Sequence, residues 1–330
     1  MTWLVWRQHR KQLLFAVAGL VVLAAFFLGT GRPMHDRFER LGLPKCLPQA
    51  ERALVVVDVD APIRPRGPDP ALPEGVDKPL APETSKPDDA ALANGRCSDA
   101  ARTFFGSYQN AVFAGLLLLV LPMLAGMFWG APLVAREIEH GTHRFVWTQG
   151  VSRLRWATTK IGLVSLAVLL ITAIYAAMLT WWITPVVETS GQRFGYVFFD
   201  IHGIVVFGYM LFALALGIFA GAVTGRLLPA MAATVVGFIG TRLLVMLGAR
   251  DRYRPTVTRT IPDLFAGYKQ IRNDLHGDWI VASGGTNTEV LKLHPADQFW
   301  TFQAMETAIF LALAAALILG SIYWVRRRIT

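Results

Sequence analysis

The polar positions of this chain fall in blocks, and between the blocks lie six apolar stretches of about 20 residues, long enough to cross a bilayer core as helices. They cover residues 13–29, 108–131, 161–184, 201–223, 229–248 and 303–323. Stretches this continuous predict an all-α polytopic membrane protein with six transmembrane helices. Residues 1–11 pair Trp3, Leu4 and Trp6 with Arg7, Arg10 and Lys11, a mix suited to an interfacial helix leading into the first span, so that 1–30 is one unit. That first stretch is longer than a usual signal h-region and runs on through Thr30, Gly31, Arg32 and Pro33 without a small-x-small cleavage pattern, which predicts a retained span.

Alternation of sides then assigns the polar blocks. Residues 31–107 and 249–302 are two long extracytoplasmic loops, 185–200 is a short outer loop, 132–160 and 224–228 are inner, and the basic tail of 303–330 returns to the cytoplasm. Charge supports this orientation. The sequence has 32 Lys and Arg, 23 Asp and Glu and a net charge of +9, a balance that by itself would also suit nucleic acid. Twelve of the cations (Arg7, Arg10, Lys11, Arg136, Arg144, Arg153, Arg155, Lys160, Arg226, Arg326, Arg327, Arg328) lie on the inner pieces beside only Glu137 and Glu139, and the remainder of the chain is almost balanced. The positive excess therefore sits on one face, which speaks for a membrane orientation and against nucleic acid as a partner.

Within this layout several residues stand out. Pro122 removes a backbone hydrogen bond inside the second span and predicts a kink. Trp181 and Trp182 predict an aromatic belt at the outer end of the third span. Gly217, Gly221 and Gly225 recur every fourth residue in the fourth span, a face that admits another backbone closely, either in a second copy or in the same chain. Arg242 and Glu306 are charges within apparent spans at similar depth, which predicts either an intramembrane ion pair at an outer gate or side chains snorkelling to the surface. Cys46 and Cys97 are the only cysteines, and both fall in the same outer block. They predict a disulfide, with two free thiols as the alternative. Between them, 62–87 is rich in proline and charge and predicts irregular structure, while the valine-rich 53–59 suits a strand. Pieces at 262–268 and 279–282 are apolar enough to dip into the outer leaflet.

Catalytic signals are sparse. No Lys follows a Gly, so the Gly-Lys-Ser/Thr core of a phosphate-binding loop is missing from the chain. His202, His276 and His294 lie near acids but in no recognised metal-ligand spacing, and no Gly-x-Ser-x-Gly elbow occurs.

The inner block carries the most specific pattern. In AREIEHGTHRFVWTQGVSRLRWATTK, residues 135–160, Gly141 can end a helix holding Glu137 and Glu139, Thr142 can cap a short helix containing Phe145, Val146 and Trp147, and Ser152 can cap the helix that re-enters the membrane. The order of acidic residues, Gly-Thr, short helix, Val-Ser-Arg turn and Lys resembles the cytoplasmic coupling loop of ABC-2 type transport permeases, the membrane-spanning subunits of bacterial ABC transporters. Two departures are His143 and Arg144, where that family often has an acid, and Gly150, where proline is common. The resemblance implies a type V exporter-like architecture with both termini cytoplasmic, in the bacterial plasma membrane, and short re-entrant helices between the last two spans, where the apolar pieces 262–268 and 279–282 lie. It further implies that Glu137, Glu139, Gly141, Thr142, His143, Arg144, Phe145, Val146, Val151 and Ser152 couple to an ABC ATP-binding subunit. Two such subunits would bind ATP and Mg, leaving this chain without cofactor or catalysis, and a second permease copy or sister permease would complete a dimer in membrane lipid. Other readings of the same sequence are a basic loop lying on anionic lipid, a six-span scaffold or sensor, and an extracytoplasmic metal-dependent enzyme anchored by its helices.

Overall fold

The computed structural model describes residues 2–47, 89–141, 152–262, 277–284 and 288–327. The valine-rich and proline-rich pieces at 53–59 and 62–87 lie outside the described residues. Among those described, six helices are long and apolar enough to cross a membrane.

The first span is helix α1 (Thr2–Arg40), which continues past residue 30 with Pro33 inside it. A second outer helix, α2 (Asp89–Tyr108), leads back to the membrane, so both ends of the expected 31–107 loop are helical. The physical reason is local packing. Phe38 of α1 meets Phe104 of α2 with ring centroids 5.6 Å apart, Met34 and Ala101 are buried beside them, and Cys46 is joined to Cys97 by a disulfide.

The second span is segmented. Helix α3 (Asn110–Leu118) ends in a turn at Leu119, and α4 (Leu121–Ala125) starts with Pro122 in its first turn, where a missing N–H costs least. A π-helical stretch (Gly126–Gly130) then passes into α5 (Ala131–Glu139), with Gly141 at φ +67° just beyond it. The third span, α6 (Arg153–Ser190), starts at Ser152, whose hydroxyl accepts from Arg155 N at 3.2 Å. Within the expected 132–160 inner block, 132–139 and 153–160 are therefore helical, and 142–151 lie outside the described residues. At the outer end of α6 Trp182 is buried instead of facing lipid, and its indole donates to Thr30 of α1 at 2.9 Å; Trp181 stacks on His35 at 4.7 Å.

After the short α7 (Tyr196–Ile201) come α8 (Val205–Thr224) and α9 (Leu227–Gly248), joined by a tight inner turn with Gly225 at φ +60°. The last span is α10 (Phe299–Arg327). Helix α8 is the central mast: 78% of its most apolar window is buried, against 6% for α1 and at most 33% for the other four. The π-stretch, α5, α9 and α10 all pack on it.

Between α9 and α10 the chain forms a three-stranded antiparallel sheet, β1 (Val257–Pro262), β2 (Trp279–Gly284) and β3 (Thr288–His294), in the order β1-β3-β2. This corrects the expectation of a re-entrant helix at 279–282, which lies in β2; of 262–268 only Pro262, the end of β1, is described. β-Branched residues on β1 (Val257, Thr258, Thr260, Ile261) and the alternation of buried Leu291 and Leu293 with exposed Lys292 on β3 favour a pleated, half-buried surface. Trp279 anchors the sheet on the helices, 5.8 Å from the Phe194 ring and 6.0 Å from that of Phe302.

Candidate functional site: a braced inner loop and an outer ion network

At the cytoplasmic end, α5 and α6 flank the interrupted segment and are tied together beneath it. Lys160 Nζ donates to Glu137 Oε1 at 2.5 Å, and both side chains are almost wholly buried. The ammonium also lies 5.6 Å from the centroid of the Trp156 ring. Two residues further on, Glu139 is exposed, yet its Oε2 accepts from the backbone N–H of Leu227 at 3.0 Å. Leu227 opens α9, whose N-cap residue Arg226 offers no side-chain cap, so a carboxylate from α5 satisfies an orphan N–H and meets the positive end of the helix dipole. The ends of the second, third and fifth spans are therefore joined by two polar contacts around the loop.

The glycine face joins the second and fourth spans by close approach. A Cβ on Gly217 would stand 2.3 Å from Gly126 O, and one on Gly221 2.6 Å from Ala131 O. The partner face is glycine as well, because a Cβ on Gly126 would stand 2.3 Å from Ala213 O and one on Gly130 2.5 Å from Leu214 O. Of the two possibilities for Gly217 and Gly221, a second copy or the same chain, the structure has packing within the chain. Gly225 does different work, taking the left-handed conformation that ends α8.

At the outer ends of the fourth, fifth and sixth spans lies a buried network. Arg250 donates through Nε to Glu306 Oε2 at 2.8 Å and through Nη2 to Glu306 Oε1 at 2.7 Å, a bidentate pair, and Nη2 also reaches Asp200 Oδ1 at 2.5 Å. Arg242 donates to the other oxygen of Asp200. Tyr209 Oη lies 2.9 Å from Asp200 Oδ1 and 2.5 Å from Glu306 Oε1, placing its single proton between two carboxylates. Two acids face two guanidiniums, and Asp200, Arg250 and Glu306 are each at most 2% exposed. The Phe199 ring covers the Arg250 guanidinium at 4.2 Å. Tyr253 lies at the edge, 3.4 Å from Glu306; burial first, and then the Glu306 charge, pushes its phenol above the usual range.

This geometry corrects the expected Arg242–Glu306 pair. The two residues belong to one network but make no direct ion pair: Arg242 goes to Asp200, and Glu306 goes to Arg250. The reason is topological. The turn that carries α9 into the sheet puts Arg250 between the two carboxylates, and its planar fork fits Glu306 with two donors.

The chain thus has two glycine faces in direct backbone contact and polar ties between the inner ends of three spans. Residues 81–250, just over half of the chain, match the family described as ABC-2 membrane transporter related. The chain belongs to this family. Searches of curated proteins and of solved structures gave no match.

The protein is thus an ABC-2 type transport permease, a multi-pass membrane protein. Of the residues expected to couple to an ATP-binding subunit, Glu137, Glu139, Gly141 and Ser152 are described, and Thr142, His143, Arg144, Phe145, Val146 and Val151 lie outside the described residues. Glu137 was expected to face a partner but is buried against Lys160, because an unpaired carboxylate at that depth would be costly. Sequence reasoning missed Asp200, Tyr209 and Arg250. Their only signal was position: Asp200 directly precedes the fourth apolar stretch, and Arg250 comes two residues after the fifth. No cluster of three or more His, Cys, Asp or Glu suited to a metal occurs among the described residues.

Proposed function

We propose that this permease is the membrane subunit of an exporter in the bacterial plasma membrane. It works as a dimer, with itself or with a sister permease, on two ATP-binding subunits that supply Mg-ATP hydrolysis. Residues 142–151 are the coupling element that docks on those subunits. The observation that carries the reading is the bracing of the loop. With Glu137 tied to Lys160 and Glu139 tied to Leu227, a displacement imposed between Gly141 and Ser152 is delivered at once to the second, third and fifth spans. The glycine contact passes the second span's motion to the central fourth. At the far end the neutral ion network joins the fourth, fifth and sixth spans, so it is the natural point about which they tilt as a unit. Glu137 and Glu139 act on this view as positioning residues behind the docking helix.

The test is co-expression with ABC ATP-binding subunits from the same organism, to find one that co-purifies with the wild-type permease and then to compare variants. Phe145→Pro is incompatible with the short helix that the sequence predicts there, and it is expected to abolish co-purification of the ATPase while leaving the permease monodisperse. Neutralising Arg153 and Arg155 together should do less. Undiminished ATPase binding by Phe145→Pro, or an equal loss on neutralising the two arginines, would refute the docking role of the loop.

A further inference from the structure

The first span is packed unevenly. In the outer half of α1, Phe27 and Met34 are 1% exposed, whereas in the cytoplasmic half Leu14 is 66% and Phe15 79% exposed. Helix α1 lies along α6 and not along the second span, and the separation leaves a cleft of about 520 Å³, within the range of about 300–1,000 Å³ typical of ligand sites. Gln12 lines it at the cytoplasmic end of α1, Phe128 and Trp129 line it from the second span, Ile171 and Tyr175 from the third, and Met210 from α8.

We propose that this cleft is a binding site for the acyl chain of an anionic lipid of the cytoplasmic leaflet. Three observations select that occupant. The first is the chemistry of the wall: it is almost entirely hydrocarbon, and its hydroxyls are engaged within the protein, Thr172 with Val168 O at 2.7 Å and Tyr175 with Leu118 O at 3.4 Å. A peptide or sugar in the cleft would find few partners for its polar groups, whereas an acyl chain needs none. The second is length. The wall on α1 extends from Gln12 to Leu23, roughly 17 Å at 1.5 Å per residue, and one leaflet of a bilayer core of about 30 Å is roughly 15 Å deep. The third is charge. Exposed Arg10 and Lys11 stand beside Gln12 at the cytoplasmic end, where the head group of a chain in the cleft would lie, and each basic residue there attracts anionic lipid.

The structure also supplies the probe. Gly19 lines the cleft, and a Cβ added to it meets nothing within 4 Å, so Gly19→Phe fills the space without displacing the fold. Gly29, on the same helix toward the outer side, is equally open and provides the control Gly29→Phe. The permease is reconstituted in vesicles of phosphatidylethanolamine containing a trace of phosphatidylglycerol or phosphatidylcholine with a diazirine at mid-chain, irradiated, and digested for mass spectrometry. Label from phosphatidylglycerol is expected on 121–129 and 168–175, at least fivefold above that from phosphatidylcholine. Gly19→Phe should lower it at least tenfold, and Gly29→Phe should leave it unchanged. Replacing Arg10 and Lys11 by Gln should erase the preference for phosphatidylglycerol while Gly19 still governs labelling. Labelling equal to that on the lipid-facing side of α9 and indifferent to Gly19→Phe would mean ordinary boundary lipid and overturn the proposal. Absence of label together with photo-crosslinking of Phe15-substituted probes between two permease copies would overturn it in favour of a protein contact. No ATP-binding subunit takes part, so failure here leaves the coupling reading standing, and the reverse also holds.

Discussion

Removing Lys160 should cost far more than removing the Glu137–Lys160 pair. At 2.5 Å the two charges attract by about 7 kcal/mol for an effective dielectric near 20, and desolvation of each ion costs several kcal/mol, so the intact pair is worth little against a well-packed apolar replacement. Lys160→Met deletes the attraction and leaves the carboxylate of Glu137 buried; the expected destabilisation is about 3–5 kcal/mol. Glu137→Gln strands the ammonium in the same way, with some relief from the amide. Glu137→Gln combined with Lys160→Met removes both charges and should recover most of the loss, so the coupling energy in the double-mutant cycle should be about 4 kcal/mol or more. The assay is SDS-titrated unfolding of purified permease in mild detergent micelles, followed by tryptophan fluorescence. The same variants are scored for ATPase co-purification, which should fall less than stability, since neither side chain is available to a partner. A Lys160→Met protein within about 0.5 kcal/mol of wild type, or a double variant no better than the worse single, would refute the buried pair as the brace of the loop.

Three further outcomes follow from the structure. Asp200→Asn leaves Arg242 and Arg250 sharing one acid and should lower stability by about 3 kcal/mol or more in the same titration, whereas exchanging Arg242 and Glu306 for each other should rescue nothing because they are not direct partners. Gly221→Leu places side-chain atoms against the Ala131 carbonyl and should cut the yield of monodisperse protein several-fold; unchanged yield would show that the two spans separate readily. Replacing Cys46 and Cys97 by Ser opens a closure spanning 51 residues and should cost about 4 kcal/mol in the chain-entropy model, read as a lower unfolding midpoint, with no further effect of reductant on the variant.

Much of the architecture was legible because a bilayer imposes a one-dimensional rule. A backbone that cannot reach water must close its hydrogen bonds within a helix of about 20 residues, so 161–184 or 303–323 announces a span without reference to the rest of the chain. The positive-inside bias likewise needs only the order of charges. Helix termini were local too: Gly141 at positive φ and Ser152 as N-cap depend on residues within one turn. The inner-loop pattern pointed to the family from about two dozen residues. The disulfide was legible because Cys46 and Cys97 are the only cysteines, so there was no partner to choose. Choosing among several charged partners is what failed. Arg242 and Glu306 were each recognisable as charges needing compensation, but Asp200 and Arg250, just outside the apolar stretches, looked like ordinary loop residues.

The sequence by itself determined the six spans, the break at the proline and the glycine-lined face, because each is set by the solvent or by neighbours along the chain. Only the tertiary structure decided that Glu137 turns inward to Lys160, that Glu139 caps the fifth span, that Gly217 and Gly221 meet Gly126 and Ala131 of the second span, and that Arg250 holds two carboxylates together. The physical reason is that lipid supplies the same apolar surroundings to every outward face, so hydropathy is silent about which helix packs on which. That choice is made by backbone approach at glycines and by the compensation of buried charge, and both depend on residues far apart in the chain.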